Sequence, residues 1–446
     1  MEVIVVLVIT AMALRGISKP FVALLALLVV YIVQPGELYP HLAFLHLERT
    51  LAVFVLVSFF LHGNRFKFPP VTKWFLAFFA SMIISIPFAF WPMSSVGFCI
   101  TFFEIVTFHL LIVSLLDSEE RISKFIITMV GLIGWLACTS LYLYAVGVRF
   151  VTMGIERAES LTSSGGDANT LGITLVTAMP LEVLMMSKGN SKRVRFFGLA
   201  ICAISVWTVI VTGSRTSFFA MLFLVVLLIL ADWRKKLKFL PLVIIAAPLL
   251  WMVIPQQYKD RYETVDKLKD DESYQNRILS WQGGYQMFLS NPITGIGPDN
   301  YAIANGEKYW PGRPRHWLNA HSLFFKLIAE LGLVGLITFA GYLSKVFALN
   351  HRLGKELKER GASTMVQKFP LYCSVSFGLL LFTGYSAHNV YRNTWFLLGA
   401  ISAATGMLQR EGSVVTVESP KKSPPVGAWV PGSEPTVLDG LTVTRT

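Results

Sequence analysis

Cysteine is scarce, with four residues in 446. Cys99, Cys138, Cys202 and Cys373 all fall inside apolar runs and none forms a CxxC pair. That excludes a disulfide framework or a cysteine metal site and leaves small core residues. No HExxH, no Walker GxxxxGK[ST] and no GxSxG occurs, so zincin, P-loop and serine-hydrolase chemistries have no sequence anchor. No carboxylate cluster offers metal ligands, and the expectation is chemistry with no metal and no cofactor. Charged residues make up only 15% of the chain, and mid-span carboxylates are few, chiefly Glu104 and Glu182. Both can pair with helix neighbours, and their scarcity argues against an ion-coupled transporter. The first residues lack the basic start and small-residue cleavage site of a signal peptide, which predicts an unprocessed chain.

What the chain has in abundance is continuous apolar sequence: 54% hydrophobic residues and a mean hydropathy of +0.58. A bilayer core ~30 Å thick requires apolar runs of about 17–25 residues from each spanning helix. The runs here do not alternate, which sets aside a β-barrel. The expected fold class is an all-α polytopic integral membrane protein. Candidate spans lie at 2–14, 20–35, 49–62, 74–91, 96–116, 124–147, 169–187, 196–212, 215–232, 239–255, 319–345, 370–387 and 393–409. The first two are short, so the count is about 12 transmembrane helices, or 13 if both cross. The expected organisation is N-terminal transmembrane helices over 1–255, a long, partly helical periplasmic loop over 256–318, and C-terminal transmembrane helices over 319–410. Residues 411–446 carry Pro420, Pro424, Pro425, Pro431 and Pro435 without apolar periodicity, which reads as a disordered cytoplasmic tail.

The net charge of +12 could suggest nucleic acid. The basic residues instead fall in short loops between apolar runs, and no nucleic-acid partner is expected. Arg15/Lys19, Arg65/Lys67/Lys73, Arg121/Lys124, Lys188/Lys192/Arg193/Arg195, Arg234/Lys235/Lys236/Lys238 and Arg352/Lys355/Lys358/Arg360/Lys368 all belong to one side. The positive-inside rule makes that side cytoplasmic. The other face then carries the segment around 148–168, the turn Gly213-Ser214-Arg215, the loop 256–318 and the short loop around His388 and Arg392. In a double-membrane bacterium that face of the inner membrane is periplasmic. Membrane lipids are the expected surroundings.

Arginines on the basic-poor side call for a reason of their own. Arg215 opens an apolar run after Gly213-Ser214, and Arg277 sits in Asn276-Arg277-Ile278-Leu279-Ser280-Trp281. Either could be an ordinary snorkelling or solvated charge. A guanidinium also binds phosphate bidentately and keeps its charge, and a helix start adds free N–H groups. Arg215 and Arg277 are therefore candidate pyrophosphate ligands. Arg157 and Arg392 are further candidates for substrate contact. Asn319-Ala320-His321-Ser322 lies where the long loop meets an apolar run, just after Pro311-Gly312-Arg313-Pro314-Arg315-His316-Trp317. His321 could be a polar residue at a helix cap, the reading that suits His41, His46, His62, His109 and His351. An imidazole there could also accept a hydroxyl proton, with Arg313, Arg315 and Asn319 as possible substrate contacts. Asp167 and Asn169, in Gly166-Asp167-Ala168-Asn169, read as a helix N-cap or as contacts to sugar hydroxyls. Gly332 and Gly335 lie three apart, a spacing that lets another helix approach and would hold His321 in place.

His321-Ser322, nine residues, then Gly332-Leu333-Val334-Gly335 resembles the histidine-x9-GxxG pattern of the bacterial O-antigen ligase/polymerase superfamily. The stretch from Arg277 and Trp281 through Asn291-Pro292 and Gly295-Ile296-Gly297 to His321 is similar to that family's ligase-type domain, here about 205–345. Gly213-Ser214-Arg215 resembles its periplasmic arginine turn, and Gly166-Asp167-Ala168-Asn169 an earlier loop motif. The extra span and the proline-rich tail depart from the simplest family pattern. The resemblance implies a glycosyltransferase in lipopolysaccharide biosynthesis that takes glycan from undecaprenyl pyrophosphate. Its acceptor would be lipid A–core in a ligase, the reading favoured here, with another glycan repeat in a polymerase or a protein hydroxyl in relatives as the alternatives. It implies His321 as the catalytic residue and Arg215 and Arg277 as the pyrophosphate ligands.

Overall fold

The structure is a computed structural model. It describes residues 2–414 apart from 153–154, 164, 232–251, 253, 255, 264–271 and 312–313. Nearly all of the expected span 239–255, the basic run 234–238, Arg313 and most of the expected tail lie outside the described residues.

The apolar runs that fall on described residues fold as helices, as continuous hydrophobic sequence in lipid requires of a backbone that must satisfy its own hydrogen bonds. In chain order they are α1 (Glu2–Ser18), α2 (Pro20–Val33), the short α3 (Pro35–Leu38), α4 (Leu47–Leu61), α5 (Pro70–Ser85), α6 (Pro92–Leu115) and α7 (Glu119–Ala145). A small antiparallel hairpin follows, β1 (Phe150–Thr152) with β2 (Ile155–Arg157). Then come α8 (Ala168–Met185), α9 (Lys192–Val211) and α10 (Arg215–Ala231). The loop helices are α11 (Gln256–Glu263), α12 (Glu272–Ser290) and α13 (Tyr301–Ala304), and the chain returns through α14 (Leu323–Glu359), α15 (Thr364–Gly384) and α16 (Asn393–Val414). Among the described residues eight helices are long and apolar enough to cross a membrane, with Pro20–Val33 and Arg215–Ala231 as shorter apolar helices. The protein is an all-α multi-pass membrane protein.

Helix starts follow local chemistry. Pro20, Pro70 and Pro92 open α2, α5 and α6, where a missing N–H costs nothing. Ser118, Asp167 and Ser191 cap α7, α8 and α9 by accepting backbone N–H groups. Large apolar side chains such as Val53, Val57, Phe60, Ile84, Ile100, Phe103, Phe196 and Ile337 stand exposed on the bundle exterior, as a lipid-facing surface allows. The interior is aromatic: Phe75, Phe78, Phe102, Phe339, Tyr342, Trp395 and Phe396 pack together. The Tyr342 hydroxyl donates to Trp395 O at 2.7 Å. His109 is buried in this core, with one ring nitrogen at Phe396 O and the other at Thr72 Oγ1, which fits a structural role. The two mid-span carboxylates are partnered: Glu104 with Arg49 at 2.9 Å and Glu182 with Ser205 at 2.9 Å.

Gly332 does something other than admit a neighbouring helix. Gly332 has φ 59° and ψ −154° and breaks α14, a conformation open only to glycine. The Asn291–Gly297 loop takes up the hydrogen bonds that the break releases. Leu333 N donates to Pro292 O and Val334 N to Ile293 O, while Ile296 N and Gly297 N donate to Ala329 O and Glu330 O. A Cβ at Gly332 would stand 2.5 Å from Ile293 O, and one at Gly295 would stand 2.3 Å from the Glu330 carbonyl carbon. Loop and helix are thereby stitched together just beyond His321. Gly332→Ala should therefore lower the thermal unfolding midpoint of the purified protein, by strain of about 1–3 kcal/mol plus the clash. Gly354→Ala, in the same helix with open space around it, should leave the midpoint unchanged or raise it slightly, since alanine is favoured over glycine in helices by about 1 kcal/mol. Equal midpoints for the two variants would refute this account of the break.

Candidate active site

A polar pocket of about 360 Å³ opens at one end of the bundle. The α8 start, the α10 start, α12, the residues before α14 and the α15–α16 connection all contribute to it. The basic loops lie at the other end of the same helices. α8 runs from Asp167 toward Lys188, α14 from His321 toward Lys358 and Arg360, and α15 from Lys368 to Ser386.

Arg277 and His321 both line this pocket, as do Asp167, Asn169 and Arg392. Residues far apart in sequence are held here by specific bonds. On α12, Trp281 Nε1 donates to Ala320 O at 2.8 Å and Ser280 Oγ to Asn319 O at 3.0 Å. Asn305 Nδ2 donates to Leu318 O at 3.0 Å, and Trp281 stacks on Phe325 with centroids 5.4 Å apart. The segment 318–320 is thus clamped to the helix that carries Arg277. His321 itself has φ 45°, an uncommon conformation for a side-chain-bearing residue. Ser322, rather than His321, stands at the α14 N-cap position.

Behind His321 lies a buried charge network. Lys326 Nζ is 3.2 Å from Glu330 Oε1 and donates to Asn319 Oδ1 at 3.1 Å. Glu330 also accepts from Tyr391 OH at 2.7 Å and from Tyr301 N at 3.1 Å. With each partner satisfied, the pair fixes geometry, whereas loss of one partner would leave a costly buried charge. Asn319, expected as a substrate contact, is turned to this network. Arg157 is likewise buried, donating to Thr212 O at 2.6 Å and to Asn169 Oδ1 at 2.9 Å. It positions pocket-lining Asn169 from behind. Asp167 caps α8, accepting from Asn169 N, Thr170 N and Thr170 Oγ1. Arg215 is not among the pocket-lining residues, although its neighbour Thr216 is, bonded to Ser386 at 2.7 Å. Arg315 is exposed and outside the lining.

His388 is a pocket residue to which the sequence reading gave no role. Its ring meets that of His321 edge to face, with centroids 5.3 Å apart. Its presence in the same short basic-poor loop as Arg392 was the only available signal. Burial, then the charges of Arg277 and Lys326, lowers the basicity of His321 to about 4 against a partial opposing pull from Asp167. Burial, then Lys326 and His321, lowers His388 to about 3. His388 is an exposed residue within the concavity. Both imidazoles are neutral at physiological pH. Burial brings Arg392 down to about 10, opposed by Asp167, so it stays charged. It donates to Thr174 Oγ1 at 2.7 Å. Asp167 is pushed up by burial, but the Thr170 hydroxyl and the Asn169 and Thr170 amides outweigh that and keep it below its ordinary range. The pocket thus joins two guanidiniums, two neutral imidazoles, one carboxylate, and hydroxyl and amide side chains. A smaller apolar cavity between α2, α7, α8 and α16 adjoins it through Thr174, Asn393 and Thr394.

Bundle and pocket together define a multi-pass helical membrane protein with a polar pocket of guanidinium, imidazole, hydroxyl and amide side chains at one end. Residues 200–340 match the family model described as O-antigen ligase, which bears out the resemblance to the O-antigen ligase/polymerase superfamily. The match supports an O-antigen ligase/polymerase-type function and suggests a glycosyltransferase-type enzyme. No curated protein matches the chain.

Proposed function

We propose that this protein moves a glycan from undecaprenyl pyrophosphate to an acceptor hydroxyl, on the periplasmic face of a bacterial inner membrane. The observation that carries the reading is the convergence of Arg277, Arg392, His321 and His388 on one polar pocket, at the bundle end away from the basic loops. A pyrophosphate suits the guanidiniums, and sugar hydroxyls suit the Asn, Ser and Thr side chains around them. The adjoining apolar cavity offers the lipid part of the donor a surface. The site's position at one end of the bundle suits a transferase better than a transporter, whose site would lie near the midplane between repeats.

The acceptor oxygen attacks the anomeric carbon as the bond from that carbon to the pyrophosphate oxygen breaks. The bonding electrons leave on the pyrophosphate, where Arg277 stabilises them, with Arg215 at the start of α10 as the second clamp. Neutral His321 takes the acceptor proton. In-line displacement inverts the anomeric centre, and no metal or nucleotide enters a step. Arg157 and Asn319 act by positioning, while Asp167, Asn169 and Arg392 contact substrate; Arg313 and Arg315 stay candidate contacts by sequence alone, Arg313 lying outside the described residues and Arg315 outside the pocket lining. The domain division 1–255, 256–318, 319–410 and 411–446 is part of the same reading, with 12 or 13 spans.

The description of the matching family model, O-antigen ligase, favours lipid A–core as acceptor over a second glycan repeat or a protein hydroxyl. Reconstitution of the purified chain with lipid-linked glycan and each acceptor tests this by gel mobility and mass. Glycan joined to rough lipopolysaccharide is the expected product. Lengthened lipid-linked glycan would make it a polymerase, glycosylated protein an O-oligosaccharyltransferase, and no product with any acceptor would overturn the transferase reading.

A further inference from the structure

A second concavity of about 360 Å³ lies at the basic end of the bundle, between the start of α5 and the later turns of α14 and α16. Its walls are apolar, from Pro70, Val71, Leu349 and Met407, and its two charged residues are Lys345 and Arg352. None of its ten lining residues is acidic. Lys345 and Arg352 are seven apart on α14, two turns along one helix face. Lys345 lies 13 residues beyond the break at Gly332, about 20 Å of helix rising 1.5 Å per residue, on the stretch that runs out to Lys355, Lys358 and Arg360. Arg352 lies two turns further out. Its Nε is 3.3 Å from Glu356 Oε1, and a guanidinium has further N–H donors beyond that one. Pro69, Pro70 and Val71 at the start of α5 line the groove, which sets the positive dipole end of that helix beside it.

We propose that this groove holds an anionic glycerophospholipid of the leaflet at the basic end. Its phosphate lies against Lys345 and Arg352, and its acyl chains lie along Val71, Leu349 and Met407. A zwitterionic lipid fills the same apolar walls but brings its own cation to a positive rim. Scattered loop lysines explain topology without any concavity; here two cations border an apolar groove at the basic end of the bundle. The site is separate from the polar pocket and stands whether or not the transferase reading holds.

The probe is phosphatidylglycerol against phosphatidylcholine, bound to the purified full chain and read by native mass spectrometry. Wild type should retain phosphatidylglycerol preferentially. Basic side chains near an anionic surface each contribute about fivefold, so the double variant Lys345→Ala/Arg352→Ala should weaken that retention about 25-fold. Arg193→Ala/Arg195→Ala, which removes two exposed cations from the start of α9, should leave it unchanged. Equal loss in both double variants would reduce the effect to general surface charge and overturn the site. Absence of lipid preference in wild type would do the same. Photoreactive phosphatidylglycerol on the wild-type chain gives a test free of any folding defect: crosslinks should map to the basic ends of α5, α14 and α16, and crosslinks confined to other surfaces would refute the proposal.

Discussion

Arg277→Ala lowers glycan transfer about 10²–10³-fold, the usual cost of removing one preorganised donor to a leaving charge, while membrane insertion and folding persist. Arg277 stands on α12 and lines the pocket together with His321, and α12 holds the 318–320 segment through Ser280 and Trp281. Removing the guanidinium therefore strips charge from the pocket without cutting those bonds. Arg277→Lys separates two properties. It retains a positive charge but loses the planar fork that matches phosphate oxygens, so it should fall between wild type and alanine. The loss should appear in turnover at saturating donor, because the negative charge on the leaving pyrophosphate grows as the bond breaks. Thermal unfolding of each variant serves as the folding control. Wild-type transfer by a folded Arg277→Ala protein would remove the clamp, and with it the chief electrostatic support for a pyrophosphate donor.

The helices were legible because lipid leaves a spanning segment few alternatives: an uninterrupted apolar run has to close its hydrogen bonds within itself. Arg277, His321, Asp167, Asn169 and Arg392 were legible for a related reason. Polar groups at helix ends on the basic-poor side escape the topological explanation that covers the other cations. Asn319 and Arg157 carry the same signals, yet their side chains turn to Lys326 and to Thr212 and Asn169. Sequence places a residue at a boundary but does not aim its side chain. The Gly332 break was read as helix packing because a small-residue spacing carries no record of its partner. Its partner is backbone from Pro292 to Gly297, which no side-chain pattern encodes. His388 was missed because the pocket is assembled from segments more than 200 residues apart, such as Asp167 and His388, and a lone histidine in a short loop looks like any other.

His321→Asn should reduce transfer about 10²–10⁴-fold, the range for loss of a positioned general base. Asparagine is the informative replacement because it tolerates the left-handed backbone at this position and cannot titrate, so chemistry is removed without added strain. The pH profile of wild type provides the independent check. Only the neutral ring accepts a proton, and the protein holds His321 at about 4, first by burial and then by Arg277. Activity should therefore persist as pH falls through 6.5, where a solvated imidazole would already be protonated, and decline only on approach to 4. Arg277→Lys should leave that acid limb close to its wild-type place, because a cation remains beside the ring. The residual activity of Arg277→Ala should show a limb displaced toward higher pH, because one of the charges that disfavours imidazolium is gone. His388→Asn should cost less than His321→Asn, since its ring packs against His321 and acts on the base rather than on the acceptor. A wild-type acid limb at 6.5 would mean that the working imidazole is solvated. Undiminished transfer by His321→Asn would mean that the acceptor proton leaves by another route.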